Sequence, residues 1–218
     1  MSVIHQTTLQ PSKLELLASW LPSRPWYRGG AGAPDLAKAG GFRLDDPQGE
    51  VGIEFMVVTD TSGPAPATYF VPLTYRGAPL DGAEHALVGT MEHGELGRRW
   101  AYDGCHDPVL VAQLSALIEG RVQAQDQNIS DTPDLEVTRS YRGDTPLSPT
   151  AAADDQEGTE LSAPRGATLR LHRVLHPAAD DAALPAPETA GHLGGLWQLP
   201  DGTRARGLFA VLHTAPRA

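Results

Sequence analysis

Two runs of alternating side chains constrain this chain most. Residues 51–57 place Val51, Ile53, Phe55 and Val57 on one face, and residues 69–75 do the same with Tyr69, Val71, Leu73 and Tyr75. A period of two marks a strand with a buried face. Gly63-Pro64-Ala65-Pro66 between the runs continues neither strand nor helix and reads as the loop joining them. Pro72 cannot donate to a ladder, so it predicts a bulge or an edge in the second run. Short strands are expected again at 85–90 and 98–102, extending the hairpins into an antiparallel sheet.

Helices enter at two places. Leu14, Leu17 and Leu21 share a helical face, Ser12 with Glu15 three residues on forms a capping pattern, and Pro22 ends the helix. Asp107 is an N-cap with Pro108 at the first helical position, Leu110, Leu114, Leu117 and Ile118 form the apolar stripe, and Gly120 is the stop. A strand is expected around 135–141. The composition then shifts. Residues 143–166 are rich in Pro, Ala, Asp, Ser and Thr and read as a linker or mobile loop. Strand-like segments follow at 168–175, 195–199 and 208–213, with a second Ala-, Pro- and acid-rich loop at 176–190 and a hairpin loop at Pro200-Asp201-Gly202-Thr203. The expected organisation is an α+β unit over 1–142, a linker over 143–166, and three appended strands within 167–218.

The charge balance narrows the function. The formal net charge is −10, with 27 acidic against 17 basic residues, and lysine occurs only at positions 13 and 38. Such a chain lacks the dense positive field that nucleic acid or an anionic membrane requires, so neither is an expected partner. The single cysteine, Cys105, excludes an internal disulfide framework. No run of about 18 apolar residues and no basic-then-apolar leader at 1–10 is present, which leads to the expectation of a cytoplasmic protein.

Chemistry is sparse. The sequence holds no P-loop, no GxGxxG after a strand, no GxSxG and no HExxH. Gly29-Gly30-Ala31-Gly32 reads as a turn rather than a phosphate cradle. His85, His93, Asp103, His106 and Asp107 lie close in sequence, but their spacing fits no common ligand pattern, and Asp103 and Asp107 have local roles as turn and cap residues. No metal site and no cofactor are therefore expected. Trp26, beside Tyr27 and between Arg24 and Arg28, is the tryptophan best placed for a surface site.

The order of motifs resembles a known module. Leu17-Ala18-Ser19-Trp20-Leu21-Pro22-Ser23-Arg24-Pro25-Trp26-Tyr27 is similar to the opening of the maltokinase N-terminal cap domain, with Pro25 splitting the usual Arg-Trp and Tyr27 in place of Phe. Tyr69-Phe70-Val71-Pro72-Leu73-Thr74-Tyr75-Arg76 is similar to the cap's Tyr-x-Val-Pro-Leu-x-Tyr strand. Leu87-Val88-Gly89-Thr90, Leu96-Gly97-Arg98-Arg99-Trp100-Ala101-Tyr102-Asp103-Gly104 and His106-Asp107-Pro108-Val109 resemble stand-alone actinobacterial relatives of that cap. The resemblance covers about residues 12–142. It implies a cystatin-like fold, a curved antiparallel sheet against helices. Leu169-Arg170-Leu171-His172-Arg173-Val174-Leu175 further resembles the kinase N-lobe strand that carries the ATP-binding lysine, with Arg170 at the lysine position.

A kinase is not expected, however. The sole asparagine, Asn128, precedes Arg170, and 48 residues follow Arg170, fewer than a catalytic lobe occupies. The resemblance therefore implies a non-catalytic binding or regulatory module. Its partner would be a kinase or an enzyme of α-glucan, trehalose or maltose-1-phosphate metabolism, or a second copy of itself. The ligand- or partner-binding residues would be Arg24, Trp26, Tyr27 and Arg28, and Arg170 would be a vestigial position. Two alternatives stand beside it: a sugar- or nucleotide-binding protein, and a small enzyme using the His93–Asp107 region.

Overall fold

A computed structural model describes residues 9–129, 131–143, 146–163, 166–178 and 189–213. The chain opens with β1 (Leu9–Gln10) and α1 (Lys13–Trp20), followed by β2 (Leu36–Leu44), β3 (Gly52–Asp60), β4 (Ala67–Arg76), β5 (Leu87–His93) and β6 (Gly97–Asp103). Next come α2 (Pro108–Glu119), β7 (Thr138–Tyr141), β8 (Ala151–Asp154), β9 (Gly158–Ser162), β10 (Thr168–His172), β11 (Val174–Leu175), β12 (Gly191–Gln198) and β13 (Arg204–His213). One sheet runs β1-β5-β6-β4-β3-β2 with β11 also paired to β4, and the other runs β7-β12-β13-β10-β9-β8. Among the described residues the structure is mostly antiparallel sheet with few helices.

Both helices start as their sequences dictate. Ser12 and Glu15 form a reciprocal capping box on α1, the Ser12 N–H donating to Glu15 Oε2 at 2.7 Å. Asp107 caps α2 by accepting the Val109 N–H at 2.9 Å, Pro108 occupies the first position, and Gly120 ends the helix with φ +81°.

The two alternating runs lie on opposite faces of one sheet. Ile53, Phe55 and Val57 of β3 face the second sheet and α2. Tyr69, Val71 and Leu73 of β4 face α1 together with Trp20 and Trp26. Met56 and Val58 fill the α1 face of β3, and Phe70 fills the other face of β4. These central strands are thus covered on both sides, which explains why apolar side chains occupy both faces over residues 55–58 and 70–73. The four phenylalanines of the chain gather between the sheets: Phe42 stacks on Phe55 and Phe70 stacks on Phe209, each at 4.5 Å between centroids.

Pro72 sits inside a central strand in unbroken register with β3, so the expected bulge or edge is corrected. Thr68 and Tyr69 pair with β11, Leu73 to Arg76 pair with β6, and Pro72 falls in the gap between these partners. A missing donor costs nothing there.

The linker expected over 143–166 is corrected in part. Residues 151–154 and 158–162 are β8 and β9, the edge hairpin of the second sheet. Small and polar residues suffice because β9 is held by β10 and buries only Gly158, Thr159 and Leu161. The expected continuous strand at 168–175 breaks at Arg173, where the chain leaves β10 in one sheet for β11 in the other. β2 has no alternating pattern and was not expected; pairing with β3 makes it a strand. Residues 1–8, most of the second acidic loop (179–188), and 144, 145, 164 and 165 of the linker lie outside the described residues. Among the described residues, no helix is long and apolar enough to cross a membrane.

Candidate functional site

The Arg24–Arg28 segment separates into buried and exposed parts. Trp26 is 0% exposed, which corrects its expected place in a surface site. Its ring packs against Trp20 at 5.8 Å and Tyr69 at 5.9 Å, and the Arg173 guanidinium lies 5.2 Å from it. The reason is geometric: the turn after α1 drives the ring under the helix and onto β4, where it completes the α1-side core. Tyr27 stacks on Tyr69, and its hydroxyl donates to Asp60 Oδ2 at 2.8 Å. Burial, and then Asp60, raises the Tyr27 pKa. Arg24 lies over the Trp20 ring at 4.8 Å. The Arg28 guanidinium donates to the Gln156 carbonyl in the β8–β9 turn. Gly29-Gly30-Ala31-Gly32 folds onto the turn after β3, with the Gly30 N–H donating to Ser62 Oγ at 3.4 Å.

Arg170 is on β10 with its guanidinium bound by both oxygens of Asp155, one contact measuring 2.6 Å. Hydrogen bonds from Arg170 hold the Asp155 carboxyl well below the usual carboxylate range.

A cleft of about 400 Å³ opens between β2, the 126–137 segment and the β12–β13 hairpin. Its floor is aromatic, with Phe42, Trp197 and Phe209, and its walls carry Asp126, Gln127, Asp134, Glu136, Gln198 and Arg204. Burial raises the Asp134 pKa, and the Glu136 and Asp126 charges add to that. Glu136 pairs with Arg204. Gln127 enters because residue 41 is glycine: a Cβ there would lie 2.4 Å from Gln127 Nε2 and 2.1 Å from the Phe55 carbonyl oxygen. Behind Gln127 lies Glu54, buried and bonded to Lys13, to the Tyr75 hydroxyl at 2.8 Å and to Gln127 at 3.4 Å. Sequence reasoning missed this cluster. The usable signals were the scarcity of lysine and the acid-rich 126–136 stretch.

The five acids and histidines read as structural do divide. Asp103 binds Arg173, and Asp107 binds Arg76 at 2.6 and 2.7 Å while capping α2. Burial pulls the Asp107 pKa up, but its hydrogen bonds, Arg76 first, bring it below the ordinary value. His93 Nδ1 accepts the Glu95 and Leu96 N–H groups in the β5–β6 turn. His85 and His106 instead meet, with Nε2 and Nδ1 3.1 Å apart. Cys105 is buried beside them, and burial pushes its thiol pKa far up, which disfavours the thiolate. A second cleft, of about 520 Å³, lies between the first turns of α2 and residues 147–152, with His106 in its wall.

Residues 20–107 match the maltokinase N-terminal cap domain family. The matched span runs from the end of α1 through β2–β6 to the N-cap of α2. The resemblance read from the motifs is therefore to that cap domain. No curated protein matches the chain.

Proposed function

We propose that this chain is a non-catalytic binding or regulatory module of the cytoplasm that works beside a maltokinase-like kinase or another enzyme of α-glucan, trehalose or maltose-1-phosphate metabolism. The observation that carries this reading is the cap-domain match over residues 20–107. The antiparallel strands β2–β6 of the matched region, with α1 packed on one face of their sheet just ahead of it, support describing this part as cystatin-like. The second sheet is, in this reading, a remnant of a kinase N-lobe. Arg170 stands for its nucleotide-binding lysine, and its guanidinium is committed to Asp155. Arg24 and Arg28, both reaching the surface, are the residues offered to a partner.

Affinity purification of the tagged chain from its native host tests the reading. Recovery of a sugar kinase or a glucan- or trehalose-pathway enzyme is the expected result. A lone monomer, or turnover of maltose with ATP by the chain itself, would overturn it.

The cleft of about 400 Å³ favours a second reading, a sugar-binding protein. Carboxylates and amides above an aromatic floor suit a ligand rich in hydroxyl groups. Calorimetry with glucose, maltose and trehalose tests it, and absence of heat at millimolar sugar removes it.

A further inference from the structure

His85 lies in the helical turn Glu84–Ala86 and His106 in the turn Gly104–His106, two segments 21 residues apart that β5 and β6 bring together. Their rings are perpendicular, at 89°, with centroids 4.7 Å apart and facing nitrogens 3.1 Å apart. An in-line hydrogen bond of that length would hold the centroids roughly 5.4 Å apart. The observed closeness requires the ring axes to bend off the line between the nitrogens, as two ligands do when they turn towards a common ion. Two imidazoles on one tetrahedral ion, with metal–nitrogen bonds of about 2.0–2.1 Å, place their nitrogens roughly 3.3 Å apart.

We propose that His85 and His106 form a two-histidine site for a divalent transition-metal ion, zinc being the reference case, which clips the 84–86 turn to the 104–106 turn ahead of α2. Imidazole donors select zinc, copper or nickel over magnesium and calcium, which take oxygen ligands.

Asp103, three residues before His106, has its carboxylate bound to Arg173. Among the described residues, no third His, Cys, Asp or Glu completes a group of three. The remaining coordination positions are therefore left to water or to an oxygen of a small ligand.

Calorimetric titration of zinc chloride into the full chain, stripped of metal by chelator, tests the site at pH 7.5. The expected result is one micromolar site weakened at least tenfold in His85→Ala and in His106→Ala and retained in His93→Ala. His85 is exposed, so His85→Ala keeps the fold and decides the matter even where His106→Ala does not fold; circular dichroism checks both. Absence of binding up to millimolar zinc would reduce the contact to a histidine–histidine hydrogen bond and overturn the proposal. Binding that survives His85→Ala places the ion elsewhere and overturns it equally. The site does not depend on the cap-domain reading, so either can fail alone.

Discussion

Arg173 Nη2 donates to both carboxylate oxygens of Asp103, each at 2.7 Å, with the two side chains 0% and 1% exposed. Asp103 ends β6, and Arg173 occupies the single residue between β10 and β11. The pair therefore joins the strand switch to the cap-like sheet. Thr159 accepts from Arg173 Nε at 2.6 Å and brings the β8–β9 hairpin into the same network. Breaking a buried pair leaves one charge without a partner, at about 3–5 kcal/mol. Arg173→Met and Asp103→Leu are each expected to lower stability by about that much in urea unfolding. The double variant should cost clearly less than their sum, because neither charge then remains. Additive costs would show that the two residues act independently.

Trp26→Ala should cost about 3–5 kcal/mol, as for other large-to-small changes at a fully buried aromatic. Arg24→Ala and Arg28→Ala should each stay within about 1 kcal/mol, because both side chains reach solvent. Thermal or urea denaturation of the three variants checks this. A mild Trp26→Ala would mean that the ring is not part of the core.

The chain should lose stability between pH 7.5 and pH 5.5. His106, His172 and His192 all have pKa values lowered, burial being the largest cause in each. The unfolded chain therefore binds more protons than the folded one as pH falls below the ordinary histidine value of about 6.5, and the stability present above it is lost. His172 Nε2 is buried without a partner, so His172→Gln should flatten the dependence. Urea midpoints across that pH range give the slope, and a midpoint that rises on acidification contradicts the prediction.

Gly41→Ala should destabilise more than Gly49→Ala. Both glycines have positive φ, +130° and +73°. A Cβ at 41 would lie 2.1 Å from the Phe55 carbonyl oxygen, whereas a Cβ at 49 meets open space. The cost at 49 should be about 1–2 kcal/mol from backbone conformation alone, and the clash at 41 adds to that. Paired unfolding curves measure the difference. Gly41→Ala should also displace Gln127 and change the cleft of about 400 Å³.

Local signals were legible where they act through their own neighbours in the chain. Ser12 with Glu15, Asp107 with Pro108, and the alternating runs of β3 and β4 need nothing distant to show what they form. β8 and β9 were not legible, because a hairpin of small residues becomes a strand pair by leaning on β10. Trp26 was misplaced because arginine neighbours in sequence do not tell which way a turn will point a ring.

The sequence by itself determined an antiparallel sheet, two capped helices and a resemblance to the cap domain, read over about residues 12–142 and matched over 20–107, since periodicity, capping and motif order are properties of short segments. Only the tertiary structure decided that β3 and β4 are covered on both faces, that Arg173 meets Asp103, that Glu54 gathers Lys13, Tyr75 and Gln127, and that His85 meets His106. Each of these joins residues from separate elements. Such contacts depend on which strands pair and how the sheets pack, which no segment encodes alone.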